Sequence, residues 1–393
     1  MRLCEHDKCT GCGLCKAVCP RAAISFEVDS LGFRYPKIDI RECIDCGLCA
    51  KKCPSINPVK RELGNECYLA WAKDDDIHYE SSSGGVAYLL QHHIIDLGGY
   101  VVGCVWDSEF NARLVVIDNA NDLAKSVGSK YVQSYVDDGA WKEIKKRDSK
   151  GQQGVFIGLP CQVAAAKSFL NGSSNVLFVD LLCRGGCSPS CLKAHLSYLE
   201  EKNKFHNVRD VKFRGGKYDC SLTLWNERGL IYKGGQYTDK YFYSFMKHGL
   251  FHESCYHCQY ANSKRVSDIT LADFWGIDSE FVKSKHKMNG MNLVLIHSGK
   301  GRTFWDTIKD KIEFYKRPFE EAIRGNDTLR EPTLSPCDRE MLLSLIENVG
   351  FERAVSSDEQ YKRNIRAQRV GYVIKAIKKI IPRPLLEFIK RHI

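Results

Sequence analysis

Hydrophobic and polar positions divide this chain into two unlike parts. Residues 23–38 alternate apolar and polar side chains on either side of Asp29-Ser30-Leu31-Gly32. Alternation with period two, interrupted by turn-forming residues, predicts a β-hairpin. From Glu66 onward, short apolar runs alternate with stretches of helical spacing. Strands are predicted over 67–71, 100–106, 112–118, 154–158, 175–182, 208–213, 221–225, 268–272 and 291–297. Helices are predicted over 85–97, closed by Gly98-Gly99, over 161–170 and over 191–200. This order predicts an α/β layout around a mixed sheet.

The first part is organised by a repeat. Cys9-x-x-Cys12-Gly13-Leu14-Cys15-x-x-x-Cys19-Pro20 recurs as Cys43-x-x-Cys46-Gly47-Leu48-Cys49-x-x-x-Cys53-Pro54. The run C-x2-C-x2-C-x3-C-P is the bacterial two-cluster ferredoxin pattern, in which the fourth Cys of each run serves the other cluster. The spacing assigns Cys9, Cys12, Cys15 and Cys53 to one 4Fe-4S cluster and Cys43, Cys46, Cys49 and Cys19 to a second. Three closely spaced thiolates wrap three corners of a cube, and Gly13 and Gly47 let the backbone turn close to it. Zinc sites favour pairs of C-x2-C over such triples. Residues 1–60 are thus expected to be a small 2x 4Fe-4S domain of bacterial ferredoxin type. Two neighbouring clusters conduct electrons but do not choose a substrate.

Composition changes the picture in two places. The chain has 393 residues and 19 Cys, an odd number for simple disulfide pairing. Residues 1–7 contain no apolar leader, and no stretch approaches a membrane span, so neither export nor a transmembrane helix is expected. In a reducing cytoplasm, clustered cysteines bind metal more readily than they form disulfides. The net charge of +10 sits mainly in a tail, where ten Lys and Arg between residues 361 and 393 face one acid, Glu387. A near-neutral body without a nucleic-acid module argues against nucleic-acid binding. Within the tail, Val373, Ile374, Ile377, Ile380 and Ile381 interleave with Lys375, Lys378 and Lys379 before Pro382 and Pro384. Such a basic amphipathic helix suits peripheral contact with an anionic membrane face, or docking on the body or a partner.

Four features of the body carry candidate chemistry. Ser81-Ser82-Ser83-Gly84-Gly85 precedes a helix and suits a phosphate-like anion or a plain N-cap. Gly128-Ser129-Lys130-Tyr131-Val132-Gln133-Ser134 gathers a cation, a phenol and an amide, as a polar cofactor site or a solvated strand would. Gly158-Leu159-Pro160-Cys161-Gln162 puts a thiol near a helix N-terminus, where a thiolate is stabilised. Cys183, Cys187 and Cys191 are followed by Cys255-x-x-Cys258. Cys161, Cys183, Cys255 and Cys258 make four thiolates for a third cluster. Cys187 or Cys191 could replace one of them, and a zinc site using Cys255, His257 or Cys258 competes. No G-x-G-x-x-G and no Walker lysine motif is present, which excludes a Rossmann or P-loop reading.

With these motifs the chain resembles the coenzyme F-420 hydrogenase/dehydrogenase beta-subunit family. The resemblance rests on the double Cys motif, Ser81–Gly85, Ser129–Ser134, Gly158–Gln162, Asp180-Leu-Leu-Cys183, Cys255-Tyr-His-Cys258 and Ile269-Thr-Leu-Ala-Asp-Phe-Trp-Gly276, and covers residues 1 to about 300. It implies an α/β flavin-binding domain over 66–340 between the ferredoxin-like domain and the basic helical tail of 361–393. It also implies FAD, with Ser82, Ser83, Gly84, Gly85, Ser129, Lys130 and Tyr131 at its site, and Cys161, Cys183, Cys255 and Cys258 on the additional cluster. Lys130 is the catalytic candidate, placed to stabilise a reduced, anionic flavin. Clusters move single electrons and hydride acceptors need two, so a flavin would join them. The implied function is an oxidoreductase passing electrons between clusters and FAD. Its redox partner would be ferredoxin, coenzyme F-420 or a small or sugar-linked substrate, and one branch of the family occurs with polysaccharide biosynthesis. The alternative is a non-catalytic electron-transfer subunit of a larger complex. Arg184-Gly185 stands where the family often has His-Gly.

Overall fold

The computed structural model describes residues 3–64, 66–214, 220–277, 281 and 290–380. Among them, nine strands form the main sheet. From one edge to the other they are Ile312–Lys316, Glu66–Ala72, Asn292–Ile296, Ile269–Asp273, Val176–Leu181, Gly154–Gly158, Tyr100–Trp106, Ala112–Ile117 and Ser134–Val136. The four central strands from Ile269–Asp273 to Tyr100–Trp106 run parallel, and antiparallel pairs flank them. This is the mixed sheet that the alternation of strands and helices predicts.

Both faces of the sheet are covered, and the period of two explains how. Val101, Val155, Leu177 and Val179 point to one face and pack with Val86, Leu90 and Ile94 of the helix Val86–Asp96 and with Trp305. Tyr100, Val102, Phe156 and Phe178 point to the other and meet Ala164 and Ala165 of the helix Pro160–Phe169 together with Trp141. Central strands buried on both faces read as continuous apolar runs, which is why they are legible in the sequence. A second layer holds the antiparallel strands Asp210–Lys212, Ser221–Asn226 and Gly229–Gly235. Its aromatic core includes Phe213, Tyr241, Phe242, Phe251 and Phe351.

The hairpin forms as Ile24–Val28 against Arg34–Ile38. Asp29 closes it, accepting from the N–H groups of Leu31 and Phe33 at 3.0 and 2.8 Å. The cysteine-rich unit is docked on the body. Leu14 is buried beside Trp141 and the alanines of Pro160–Phe169. Lys52 donates to the Ser168 carbonyl at 2.9 Å, and Ser168 returns a bond to the Lys52 carbonyl at 2.7 Å.

Several elements escape the sequence pattern, among them Ser134–Val136, Gly229–Gly235, Gly299–Ile308 and the two that follow. The helix Asp138–Ser149 buries Ala140, Trp141 and Ile144, but its run of charged residues dilutes the periodicity. The edge strand Ile312–Lys316 buries only Ile312 of its five residues, too little to stand out. The expected tail helix is part of Glu359–Ile380. Its first turns dock on the body, with the Tyr361 hydroxyl donating to the Thr238 carbonyl at 3.0 Å. Val370 and Val373 are exposed. Ile381, Pro382, Pro384 and the rest of the tail lie outside the described residues. Among the described residues no helix is long and apolar enough to cross a membrane.

Candidate functional site

The cysteines gather around three cavities. Cys9, Cys12, Cys15 and Cys53 line the first, of about 20 Å³, together with Cys4 and Cys49. Cys19, Cys43, Cys46 and Cys49 line the second, also of about 20 Å³. The fourth Cys of each run therefore crosses to the other group, as the ferredoxin spacing requires. Gly13 and Gly47 have φ of 87° and 69° immediately before short helices that carry the third Cys of each run. A side chain would strain that left-handed turn.

The third cavity is larger, about 240 Å³, and Cys161, Cys183, Cys255 and Cys258 all line it. Cys187 and Cys191 do not. Both are buried in the aromatic core of the second layer. The packing thus sets these two thiols apart from the four that line the cavity. His257 also lines the cavity and is exposed. Four thiolates on a zinc ion would each lie ~2.3 Å from it. Among the described residues no three His, Cys, Asp or Glu side chains close on a single ion.

Several of these thiols sit in apolar surroundings. Burial pushes Cys9 up to about 11, Cys12 and Cys183 up to about 12, and Cys161 well above the ordinary thiol range. Neighbouring thiols raise Cys161 further, first Cys258, then Cys183 and Cys255. Each would hold its proton until a positive centre displaced it, which is the behaviour expected of a ligand set. Cys161 opens the helix Pro160–Phe169, where Gln162 accepts from the Leu159 N–H at 2.9 Å and donates to Ser134 at 2.9 Å.

The three cavities are neighbours. Cys49 lines both the first and the second. Between the first and the third, Cys161 lies in the field of Cys12, and the buried Tyr260 hydroxyl lies in the field of Cys161, Cys12, Cys258 and Cys53.

The residues expected at a flavin form a separate group. The Ser82 hydroxyl accepts from the Ser129 N–H at 2.7 Å. Tyr131 stacks on Phe245 with ring centres 4.6 Å apart. Arg214 joins the two loops, donating to the Ser82 carbonyl at 2.9 Å and to the Tyr131 hydroxyl at 3.0 Å. Its third arm meets Asp273 at 2.6 Å. Sequence reasoning misses Arg214 and Asp273 as site residues. Asp273 lies inside the Ala272-Asp-Phe-Trp-Gly276 run, whereas no local signal marks Arg214. The Ser83 hydroxyl is buried without a partner, as an anion-binding loop would leave it. Gly84 has a second reason to be glycine, since a Cβ there would sit 2.8 Å from the Asn292 side chain. That Asn292 oxygen accepts from the Val86 N–H at 3.1 Å, so this N–H of the helix is already taken. Lys130 points its ammonium to the carbonyls of Gly128 and Val127 at 3.4 and 3.5 Å and over the Trp106 ring. Burial lowers its pKa.

A ferredoxin-like cysteine unit docked on a mixed α/β body, with a third cysteine cavity at their junction, defines an iron–sulfur redox protein. The chain belongs to the coenzyme F420 hydrogenase/dehydrogenase beta-subunit family. Residues 67–137 match the N-terminal model of that family and residues 151–322 its C-terminal model. Residues 8–56 match a 4Fe-4S dicluster domain. One subunit of the F(420)H(2) dehydrogenase of Methanosarcina mazei is 24% identical over 329 residues, covering 80% of this chain and 86% of that protein. The coenzyme F420-dependent sulfite reductase of Methanocaldococcus jannaschii is 34% identical over 171 residues, 40% of this chain and 24% of that protein. A chain in the F420-reducing [NiFe] hydrogenase complex of Methanosarcina barkeri superposes with a TM-score of 0.47 at 18% identity, covering 78% of this chain and 93% of that one.

Proposed function

We propose that this protein is an iron–sulfur electron-transfer subunit of an F420-linked oxidoreductase. It would relay electrons along its three cysteine sites between a redox protein and a flavin site in the body. The observation that carries the proposal is the adjacency of the sites, with Cys49 common to the first two and Cys12, Tyr260 and Cys161 bridging the first to the third. Bound 4Fe-4S clusters supply one-electron steps. The chain's part is to hold the thiolates, exclude water through the packed rims of the cavities, and fix the separation between sites.

The dicluster match and the crossing of Cys19 and Cys53 support ligation of two clusters by the eight N-terminal cysteines. The shared cavity of Cys161, Cys183, Cys255 and Cys258 supports a third. FAD at Ser82, Ser83, Ser129, Lys130 and Tyr131 is supported by the unpartnered Ser83 hydroxyl and by the clasp that Arg214 makes. A sugar-linked substrate rests on the resemblance alone, and no residue described above speaks for it.

Anaerobic purification with iron, sulfide, zinc and flavin measured on one sample tests this reading. About twelve iron atoms per chain are expected, four for each site. About eight, with zinc in their place, would reduce the relay to the ferredoxin-like unit. Turnover by the isolated chain with an artificial reductant would instead make it a catalytic subunit.

A further inference from the structure

Arg265 is among the largest fully buried side chains of the protein, 2% exposed, and it lines the third cysteine cavity. It reaches this place on the two-residue strand Lys264–Arg265, which pairs with Glu62–Leu63 just after the ferredoxin-like unit. Two of its three nitrogens are satisfied. One donates to the Asp180 carboxylate at 3.0 Å. Another donates to the carbonyls of Tyr260 at 2.7 Å and Asn262 at 3.2 Å. The third, Nε, is buried with no partner.

A buried guanidinium N–H without an acceptor is costly, since it forfeits hydration and gains nothing in return. The Asp180 carboxylate does not remove the need. Its other oxygen accepts from Thr270 at 2.5 Å, and Thr270 is tied in turn to His297 at 2.9 Å. In a cavity lined by four cysteines, the acceptors an iron–sulfur cluster would bring are its cysteinate and sulfide sulfurs. The geometry points to Arg265 as a positioning residue for the third cluster, donating from Nε to its sulfurs and setting its reduction potential. The inference rests on the reading of Cys161, Cys183, Cys255 and Cys258 as ligands.

The sign follows from charge. Reduction adds one electron to an already anionic cluster, so a donor and a cation favour the reduced form and raise the potential. Asp180, paired with the guanidinium, acts in the opposite sense.

The test is an anaerobic redox titration followed by EPR on the full chain, with the two ferredoxin-type clusters as internal references. Arg265→Lys keeps a positive charge and removes the Nε–H. It should lower the third midpoint, changing the reduced-to-oxidised ratio at fixed potential about tenfold, which is ~59 mV for one electron. Asp180→Asn keeps the hydrogen-bonding shape and removes the negative charge, and it should raise the same midpoint. A purely structural role would not move the two variants in opposite directions. If Arg265→Lys fails to fold or to load iron, Asp180→Asn decides alone, and an unmoved or lowered midpoint overturns the assignment. Wild-type protein with about eight iron atoms would instead remove the third cluster, and the inference with it.

Discussion

Gln133 donates its side-chain amide to the carbonyl of Thr10 at 3.1 Å. Thr10 lies between Cys9 and Cys12, and Gln133 packs against Gly186 in the wall that carries Cys183 and Cys187. Both residues line the third cavity. The backbone N–H of Gln133 donates to the Cys187 carbonyl at 2.8 Å, which anchors this bridge from the body side. One amide thus holds the first cysteine loop at a fixed distance from the third cysteine set.

Removing that amide should loosen the junction without emptying the sites. Gln133→Ala loses one hydrogen bond and leaves a carbonyl wanting a partner, a cost of about 1 kcal/mol. Anaerobic thermal unfolding should show a lower midpoint at unchanged iron content. Electron exchange between the ferredoxin-type clusters and the third, followed by freeze-quench EPR, should slow. Unchanged exchange would show that other contacts set the distance.

Cys183 and Cys187 are four residues apart and should behave in opposite ways. Cys183→Ser removes a thiolate from the third set, and iron should fall from about twelve to about eight atoms per chain. Cys187 is fully buried among aromatic residues, where burial pushes its thiol up to about 12. Cys187→Ser should keep its iron and lose stability by about 1–3 kcal/mol, the cost of burying a hydroxyl in an apolar place. A loss of four iron atoms from Cys187→Ser would restore the alternative ligand set.

These two residues also mark what the sequence could and could not say. The ferredoxin pattern was legible because its ligands are local, and spacing alone carries the crossing of Cys19 and Cys53. The third set joins distant loops, so spacing along the chain could not distinguish Cys183 from Cys187. Packing distinguishes them, since Cys187 faces Tyr241 and Phe251 while Cys183 faces the cavity. The central strands were legible because both faces are apolar. The helix Asp138–Ser149 was not, because only one narrow stripe of it is buried. Arg214 and Arg265 carry no local signature, because each draws its meaning from partners distant in sequence, Ser82 and Asp273 for one and Asp180 for the other.

Arg214 should govern flavin retention more than Lys130 does. It holds the Ser82 loop, Tyr131 and Asp273 together through three nitrogens, and its side chain is 11% exposed. Arg214→Lys keeps the charge and loses the planar fork, which is not a conservative change at such a site. Flavin affinity should fall at least tenfold, about 1.4 kcal/mol, measured by fluorescence of flavin released on dialysis. Lys130→Met should have a smaller effect on retention, because its ammonium meets only local carbonyls and the Trp106 ring. Equal flavin content in wild type and Arg214→Lys would remove the clasp from the cofactor site.

His195 should make the fold sensitive to alkali. It is 1% exposed and lies between Asp239, 2.8 Å from Nε2, and Glu352, 2.5 Å from Nδ1. Tyr232 donates to Asp239 at 2.9 Å, and Lys240 pairs with Glu352 at 2.8 Å. Burial alone would lower the imidazole pKa, but the two carboxylates overcome it and raise the group from its ordinary 6.5 to about 9. A raised folded-state value means that the cation stabilises the fold fully below the unfolded value, and that this contribution is lost as pH climbs through the folded one. The contribution is on the order of 3 kcal/mol. It ties the helix Pro189–Asn203 to the helices Lys240–Met246 and Phe351–Ser357, and none of His195, Asp239 and Glu352 lines a cysteine cavity. Between about pH 7 and about pH 10 the wild type should therefore lose more thermal stability than His195→Gln, which is destabilised throughout but lacks the titrating group. Parallel curves for the two proteins would mean that the imidazole is neutral in the fold and that the carboxylates share their charge with Lys240 and Tyr232 instead.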